Sequence, residues 1–213
     1  MPSASPQQRS LFDSGEPRFD PRLARLRRIP LDNGAWVDHL PGWLEGHETV
    51  LDGLWATTQW QSHRRHMYER VVDVPRLVAT LPENGPGYPI VTDMADALSA
   101  HYFRDLFDVS LAAYRNGRDS VAFHGDRLGI DRADAIVAIV SLGFARRFLL
   151  RPASGGSSRA FNLGRGDLIV MGGTCQLTWE HAVPKVAHAE LRISVQFRSA
   201  ADDEENDSKG GGS

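Results

Sequence analysis

After residue 108 the chain breaks into short apolar runs, at 109–114, 120–123, 135–142, 144–150, 167–171 and 191–197, separated by Gly, Asp and Arg turns. Runs this short, spaced this regularly, predict the strands of a β-sandwich or jelly roll rather than core helices. The first half reads differently. Trp43-Leu44 through Leu51, Leu54 and Trp55 recur at helical spacing, and Pro41-Gly42 supplies a start signal. Met94 to Phe107 predicts a second amphipathic helix, with Asp93 near its start. Arg27 to Leu31 reads as a short strand before an Asp32-Asn33-Gly34 turn, Val71 to Val78 as an extended segment, and Pro82 to Pro89 as a loop. Helices early and strands late make an α+β fold class, with N-terminal helices packed on one sheet.

At 213 residues one domain is expected, over 25–199. Residues 1–24 mix Pro, Ser, Gln and charge without periodicity and are expected to be a mobile N-terminal segment, and 200–213 form a disordered acidic, Gly-ending tail. That tail carries five acids against one Lys, so removing it turns the formal charge of −3 into +1, and an anionic partner is not excluded. The single Cys175 rules out an internal disulfide and a Cys-based zinc cluster. No apolar run is long enough to span a membrane as a helix, and no secretory signal is visible. A cytoplasmic monomer is the expectation.

The first chemistry lies in His124-Gly125-Asp126. At i and i+2 on an extended segment both side chains project to one face, so an imidazole nitrogen and a carboxylate oxygen can share an ion. His181 follows 57 residues later near a predicted strand. Two His and one Asp suit the facial triad of non-haem Fe(II) oxygenases, with zinc hydrolysis open to the same ligands. In Arg192-Ile193-Ser194-Val195-Gln196-Phe197-Arg198 the two Arg residues fall on one strand face and Ile193, Val195 and Phe197 on the other. Inward-pointing guanidinium groups need anions, and a dicarboxylate such as 2-oxoglutarate supplies one at each end. A solvated strand face bearing two surface Arg residues is the alternative.

In order, Tyr114-Arg115-Asn116-Gly117, His124-Gly125-Asp126, Ile139 to Gly143, Phe148 to Arg151, Gly166 to Met171 and Arg192 to Arg198 resemble the motifs of the AlkB family of Fe(II)/2-oxoglutarate dioxygenases, over about residues 72–198. The resemblance implies a double-stranded β-helix (jelly roll) core and Fe(II) bound by His124, Asp126 and His181. It implies Arg192 and Tyr114 at the distal carboxylate of 2-oxoglutarate and Arg198 near its keto-acid end, with O2 as the other cosubstrate. Two departures touch the cosubstrate: Ala112 stands where the family has Asn, and Ser194 replaces the Asn of the closing motif.

The implied reaction is oxidative dealkylation of N-alkylated bases in nucleic acid, DNA favoured over RNA, releasing formaldehyde, succinate and CO2. Such bases must leave the stack to be reached. The same chemistry on RNA or another substrate, and a decayed oxygenase that only binds nucleic acid, are the alternatives. By the same resemblance Arg64, Arg65 and Arg76 are candidate phosphate contacts, Met67 and Tyr68 candidates to stack on or wedge a base, and Met171 a candidate for pocket lining. Arg127-Leu128-Gly129 stands where many relatives carry acids that read a base, which leaves the preferred base open. Separately, Gln8-Arg9-Ser10-Leu11-Phe12 resembles the peptide by which bacterial repair proteins dock on the sliding clamp.

Overall fold

The computed structural model describes residues 15–67, 70–82, 85, 87–126 and 134–199, with the backbone alone at 63–67 and 70–74. Strands β1 (Arg18–Phe19), β2 (Arg27–Pro30), β3 (Ala35–Leu40) and β4 (Leu44–Glu45) precede helix α1 (His47–Thr57). Strands β5 (Gln61–Met67) and β6 (Arg70–Thr80) lead to helix α2 (Tyr88–Tyr102). Then come β7 (Asp108–Tyr114), β8 (Val121–His124), β9 (Val137–Gly143), β10 (Arg146–Pro152), β11 (Arg159–Leu163) and β12 (Asp167–Gly173). A one-turn helix α3 (Cys175–Thr178), β13 (Trp179–Val183) and β14 (Arg192–Arg198) complete the order.

Eight strands form one antiparallel sheet in the order β2-β3-β12-β9-β14-β7-β6-β5, and four form a second in the order β11-β10-β13-β8. The two sheets face each other as a jelly roll, the α+β architecture expected from the late apolar runs. Those runs are continuous because the large sheet is buried on both faces. Along β9, Val137 and Ile139 point between the sheets, toward Phe148, Leu150, Leu163 and Trp179. Ala138, Val140 and Leu142 point the other way, into a layer with Val50, Leu51 and Leu54 of α1 and Met94 and Leu98 of α2. On β14, Ile193, Val195 and Phe197 join that helix-side layer, so Arg192, Ser194 and Gln196 must face the sandwich interior. β14 lies between β7 and β9, the best-protected place in the sheet.

The boundaries differ from the sequence expectation in four places. Residues 15–24 belong to the fold: β1 pairs with β4, Phe19 meets Trp43 edge-on at 4.9 Å, and Leu23 is buried. The first helix starts at His47, not Trp43, because Gly46 turns the chain at φ 67, where an added Cβ would lie 2.7 Å from the Gly15 carbonyl. The second starts at Tyr88, with Pro89 in its first turn, where a missing N–H costs nothing. It stops at Tyr102, where Phe103 adopts φ 54. Strands β3 and β11 were not foreseen. In β3 a buried Asp38 interrupts the apolar pattern; Arg28 donates to both of its oxygens at 2.8 Å and Tyr102 donates at 2.9 Å. Among the described residues no helix is long and apolar enough to cross a membrane.

Candidate active site

The edge strand β8 pairs with β13 so that His124 and His181 stand opposite each other, their ring centroids 4.3 Å apart. Past the end of β8, Gly125 lets the chain turn tightly beside α3, where an added Cβ would come to 3.3 Å from the Gln176 carbonyl. Asp126 then swings onto the same side, and the ligating atoms of His124, Asp126 and His181 all lie within 4.8 Å of one another. One donor set of two imidazoles and a carboxylate results, as the i, i+2 spacing and the distal His suggested.

Hydrogen bonds fix each member. His124 Nδ1 lies 2.8 Å from the Ala122 carbonyl; donating its proton there, the ring keeps Nε2 free as a ligand. Burial pushes the His181 pKa down to about 4, so its ring is neutral at physiological pH, and Phe148 stacks on it at 5.4 Å. Asp126 accepts from Arg198 Nη2 at 3.1 Å through Oδ1, and its backbone N–H donates to Gln176 Oε1 at 3.1 Å. Burial alone would raise its pKa; the fields of His181, Arg198 and His124 and the Arg198 hydrogen bond outweigh that and hold the carboxyl below its ordinary range. Asp126 Oδ2 is buried with no partner among the described residues. An unpartnered, ionised, buried oxygen beside the imidazoles of His124 and His181 is a site that a divalent cation fits.

An open pocket runs from these three residues along β14 to Arg192. The Arg192 side chain is buried, its Nε donates to Ser141 Oγ at 2.6 Å, and its guanidinium carbon sits 5.1 Å from the Tyr114 ring centroid. Burial lowers its pKa to about 10, and its Nη1 has no partner among the described residues. That nitrogen asks for an anion from outside the chain. Tyr114, held on β7 opposite Arg192, has its hydroxyl 3.1 Å from Arg76 Nη1. Arg198 bridges Asp126, Ser110 and Gln196 at the end of the pocket that holds the two imidazoles. The pocket therefore offers a cation near each end of a short dicarboxylate, with Ile139, Phe148 and Val183 as apolar walls.

The sequence-predicted residues divide as follows. His124, Asp126, His181, Tyr114, Arg192, Ser194 and Arg198 all line this pocket. Arg76, expected at a phosphate, instead lines it too, because β6 pairs with β7 and carries Arg76 alongside Tyr114. Met171, expected in the lining, is fully buried between the sheets and stays outside the pocket. The side chains of Arg64, Arg65 and Met67, all of Tyr68, and the Gln8–Phe12 peptide lie outside the described residues. Ser141, Gln176 and Arg146 were missed. Ser141 is the one polar residue in Val137 to Gly143, a signal that could have found it; buried Arg146, donating to the carbonyls of Asn116, Asp119 and Pro184, carries no such mark.

Comparison with known proteins gives a consistent picture. The family model described as the 2OG-Fe(II) oxygenase superfamily matches residues 55–198. A human protein, alpha-ketoglutarate-dependent dioxygenase alkB homolog 3, is 26% identical over 187 residues, covering 76% of this chain and 65% of that protein. The Arabidopsis thaliana DNA oxidative demethylase ALKBH2 is 33% identical over 112 residues, 41% of this chain and 36% of that protein. The chain thus matches at most 65% of the length of these curated relatives. Among solved structures, an oxidoreductase of the 2OG-Fe(II) oxygenase family from Burkholderia pseudomallei superposes with a TM-score of 0.54 at 15% identity, covering 76% of this chain and 84% of that one, a likeness of fold.

Proposed function

The chain belongs to the 2OG-Fe(II) oxygenase superfamily as an AlkB-like member, and we propose that it oxidatively dealkylates N-alkylated bases in DNA. Two atoms carry this reading: Asp126 Oδ2 and Arg192 Nη1, both buried, unpartnered among the described residues, and belonging to side chains that line one pocket. Each is a cost to the fold unless a cation meets the first and a carboxylate the second. The names of two relatives, a DNA oxidative demethylase and an alkB homolog, support the substrate class.

His124, Asp126 and His181 would hold Fe(II). Arg192, with Ser141 fixing its Nε and Tyr114 beside it, would take the distal carboxylate of 2-oxoglutarate in charge-assisted bonds. Arg76 donates to the Tyr114 oxygen and so turns the phenolic proton toward that carboxylate. Arg198 neutralises and orients Asp126, and would lie beside the keto-acid end. When bound, the iron with 2-oxoglutarate and O2 supplies the oxidising power that hydroxylates an N-alkyl carbon, giving succinate and CO2, after which the hydroxyalkyl group leaves as an aldehyde. Phe148, Ile139 and Val183 give the pocket apolar walls beside the reacting centre. Ser194, in place of the family's Asn, keeps a hydroxyl on the pocket wall, and Gln196 Nε2 donates to it at 3.5 Å.

Formaldehyde release from single- and double-stranded DNA oligonucleotides and RNA oligonucleotides, each carrying N-methylated bases, tests the proposal. Turnover on DNA that requires Fe(II) and 2-oxoglutarate, and is lost in His181→Ala, is the expected result. Release from RNA alone would move the substrate to RNA. Binding of methylated DNA without 2-oxoglutarate-dependent turnover would reduce the protein to a nucleic-acid binder.

A further inference from the structure

The pocket's recognised chemistry accounts for the two carboxylate oxygens of Asp126 but not for its backbone N–H. Oδ1 has Arg198 and the buried Oδ2 would face the ion, but among the described residues the backbone N–H has no strand to pair with. The β8–β13 ladder has its last pair at His124 opposite His181, on an edge strand with no neighbour beyond it among the described residues, and Asp126 lies two residues past that end. The side chain of Gln176 supplies the missing partner. It is 3% exposed, and its Oε1 accepts from the Asp126 N–H at 3.1 Å. The main chain of the same residue closes on Gly125, whose Cβ position is 3.3 Å from the Gln176 carbonyl. Met171 Sδ, 4.0 Å from Nε2, fixes the other end of the amide and so defines which atom faces Asp126.

We infer that Gln176 is the positioning residue of the metal centre: its side-chain amide replaces the absent strand and locks the His-x-Asp turn to the strand that carries His181. The inference rests on the proposed iron site and adds a residue to it. Gln176 and His181 are five apart along one short stretch, α3 into β13, so a single segment delivers one ligand and holds another. Without the Oε1 contact the Asp126 carboxylate keeps its Arg198 partner but loses the backbone anchor that sets its distance from the two imidazoles. Partners that orient a ligand in this way typically contribute about 10- to 100-fold to metal affinity.

The test compares full-length wild type, Gln176→Met and Gln176→Glu. Mn(II) affinity is read by electron paramagnetic resonance without cosubstrate, and the Asp126 amide is followed by hydrogen exchange. Met fills the same space without an acceptor; Glu restores an acceptor oxygen at the same reach. The expected result is Mn(II) binding weakened at least tenfold in Gln176→Met, with faster exchange at the Asp126 amide and binding near wild type in Gln176→Glu. Mn(II) affinity within twofold of wild type in Gln176→Met overturns the inference, as does weakening that Glu fails to rescue in a folded variant. Should Gln176→Met not fold, Gln176→Glu decides alone: a protected Asp126 amide with near-normal affinity supports the role, and an unprotected amide with normal affinity refutes it. Wild type that binds no Mn(II) at all would instead defeat the iron site itself, a separate outcome.

Discussion

Arg192 sits in the fold at a cost that its ligand should remove, so replacing it has opposite effects on the free and the loaded protein. The residue is 1% exposed, its Nε donates to Ser141, and burial lowers its pKa from 12.5 to about 10. At 1.36 kcal/mol per pKa unit, that depression corresponds to about 3 kcal/mol against the charged form in the ligand-free fold. Arg192→Met removes this penalty along with the Ser141 hydrogen bond, which is worth about 2 kcal/mol. The net is a ligand-free protein about 1 kcal/mol more stable, a rise in Tm of roughly 2–4 °C for a chain of this size. With 2-oxoglutarate the sign reverses. At about 100 times its dissociation constant the cosubstrate stabilises wild type by about 2.7 kcal/mol. Losing the buried carboxylate partner costs about 3 kcal/mol of binding, roughly 150-fold in affinity, so the same concentration should stabilise Arg192→Met by less than about 0.5 kcal/mol. Scanning calorimetry with Mn(II), with and without 2-oxoglutarate, reads both effects. A ligand-free Tm that falls by several degrees, or a cosubstrate shift equal to that of wild type, would refute the reasoning.

Three further outcomes follow from the same geometry. Arg76→Leu removes the donor to the Tyr114 hydroxyl and should raise the KM for 2-oxoglutarate about tenfold with kcat nearly unchanged; a weaker salt dependence of DNA binding with normal KM would restore the phosphate role. Arg146→Met strands the Asp119 and Pro184 carbonyls, while the Asn116 carbonyl keeps the Asp119 N–H, and should cost about 3 kcal/mol in urea unfolding, without abolishing Mn(II) binding. His39 on β3 is partly buried, and burial lowers its pKa against the opposing field of Asp167. Below the ordinary pKa near 6.5 the unfolded chain takes up a proton that folded His39 refuses. Its stabilising contribution is therefore present above that pH and lost as pH falls toward the folded pKa. His39→Leu should flatten the loss of stability on acidification in denaturant titrations at pH 7, 6 and 5, and an unchanged slope would contradict it.

The large-sheet strands after residue 108 were legible because burial on both faces leaves few polar residues to blur them; Ser141 in β9 and Arg192 in β14 are among the exceptions, and both serve the pocket. Periodicity also put Arg192 and Arg198 on one strand face, though it did not say whether that face is inward or solvated. Less was legible where a polar group is satisfied by a distant partner. β3 went unread because Asp38 interrupts its apolar pattern, and the partners that satisfy it, Arg28 and Tyr102, lie 10 and 64 residues away. Arg76 looked like a surface cation because its acceptor, Tyr114, lies 38 residues on and meets it only through the β6–β7 pairing. Gln176 had no periodic signature at all: its role depends on where an edge strand stops, a property of the ladder rather than of the local sequence. Helix starts slipped for a local reason, since Gly46 and Pro89 set them and apolar spacing does not.

The most direct measurement is anomalous diffraction from a crystal of the protein grown anaerobically with Mn(II) and N-oxalylglycine. A single manganese peak bonded to His124, Asp126 and His181, with the inhibitor's distal carboxylate on Arg192, is the predicted result. A peak that leaves Asp126 Oδ2 unbound, an inhibitor carboxylate that bypasses Arg192, or no density at either place would contradict the account.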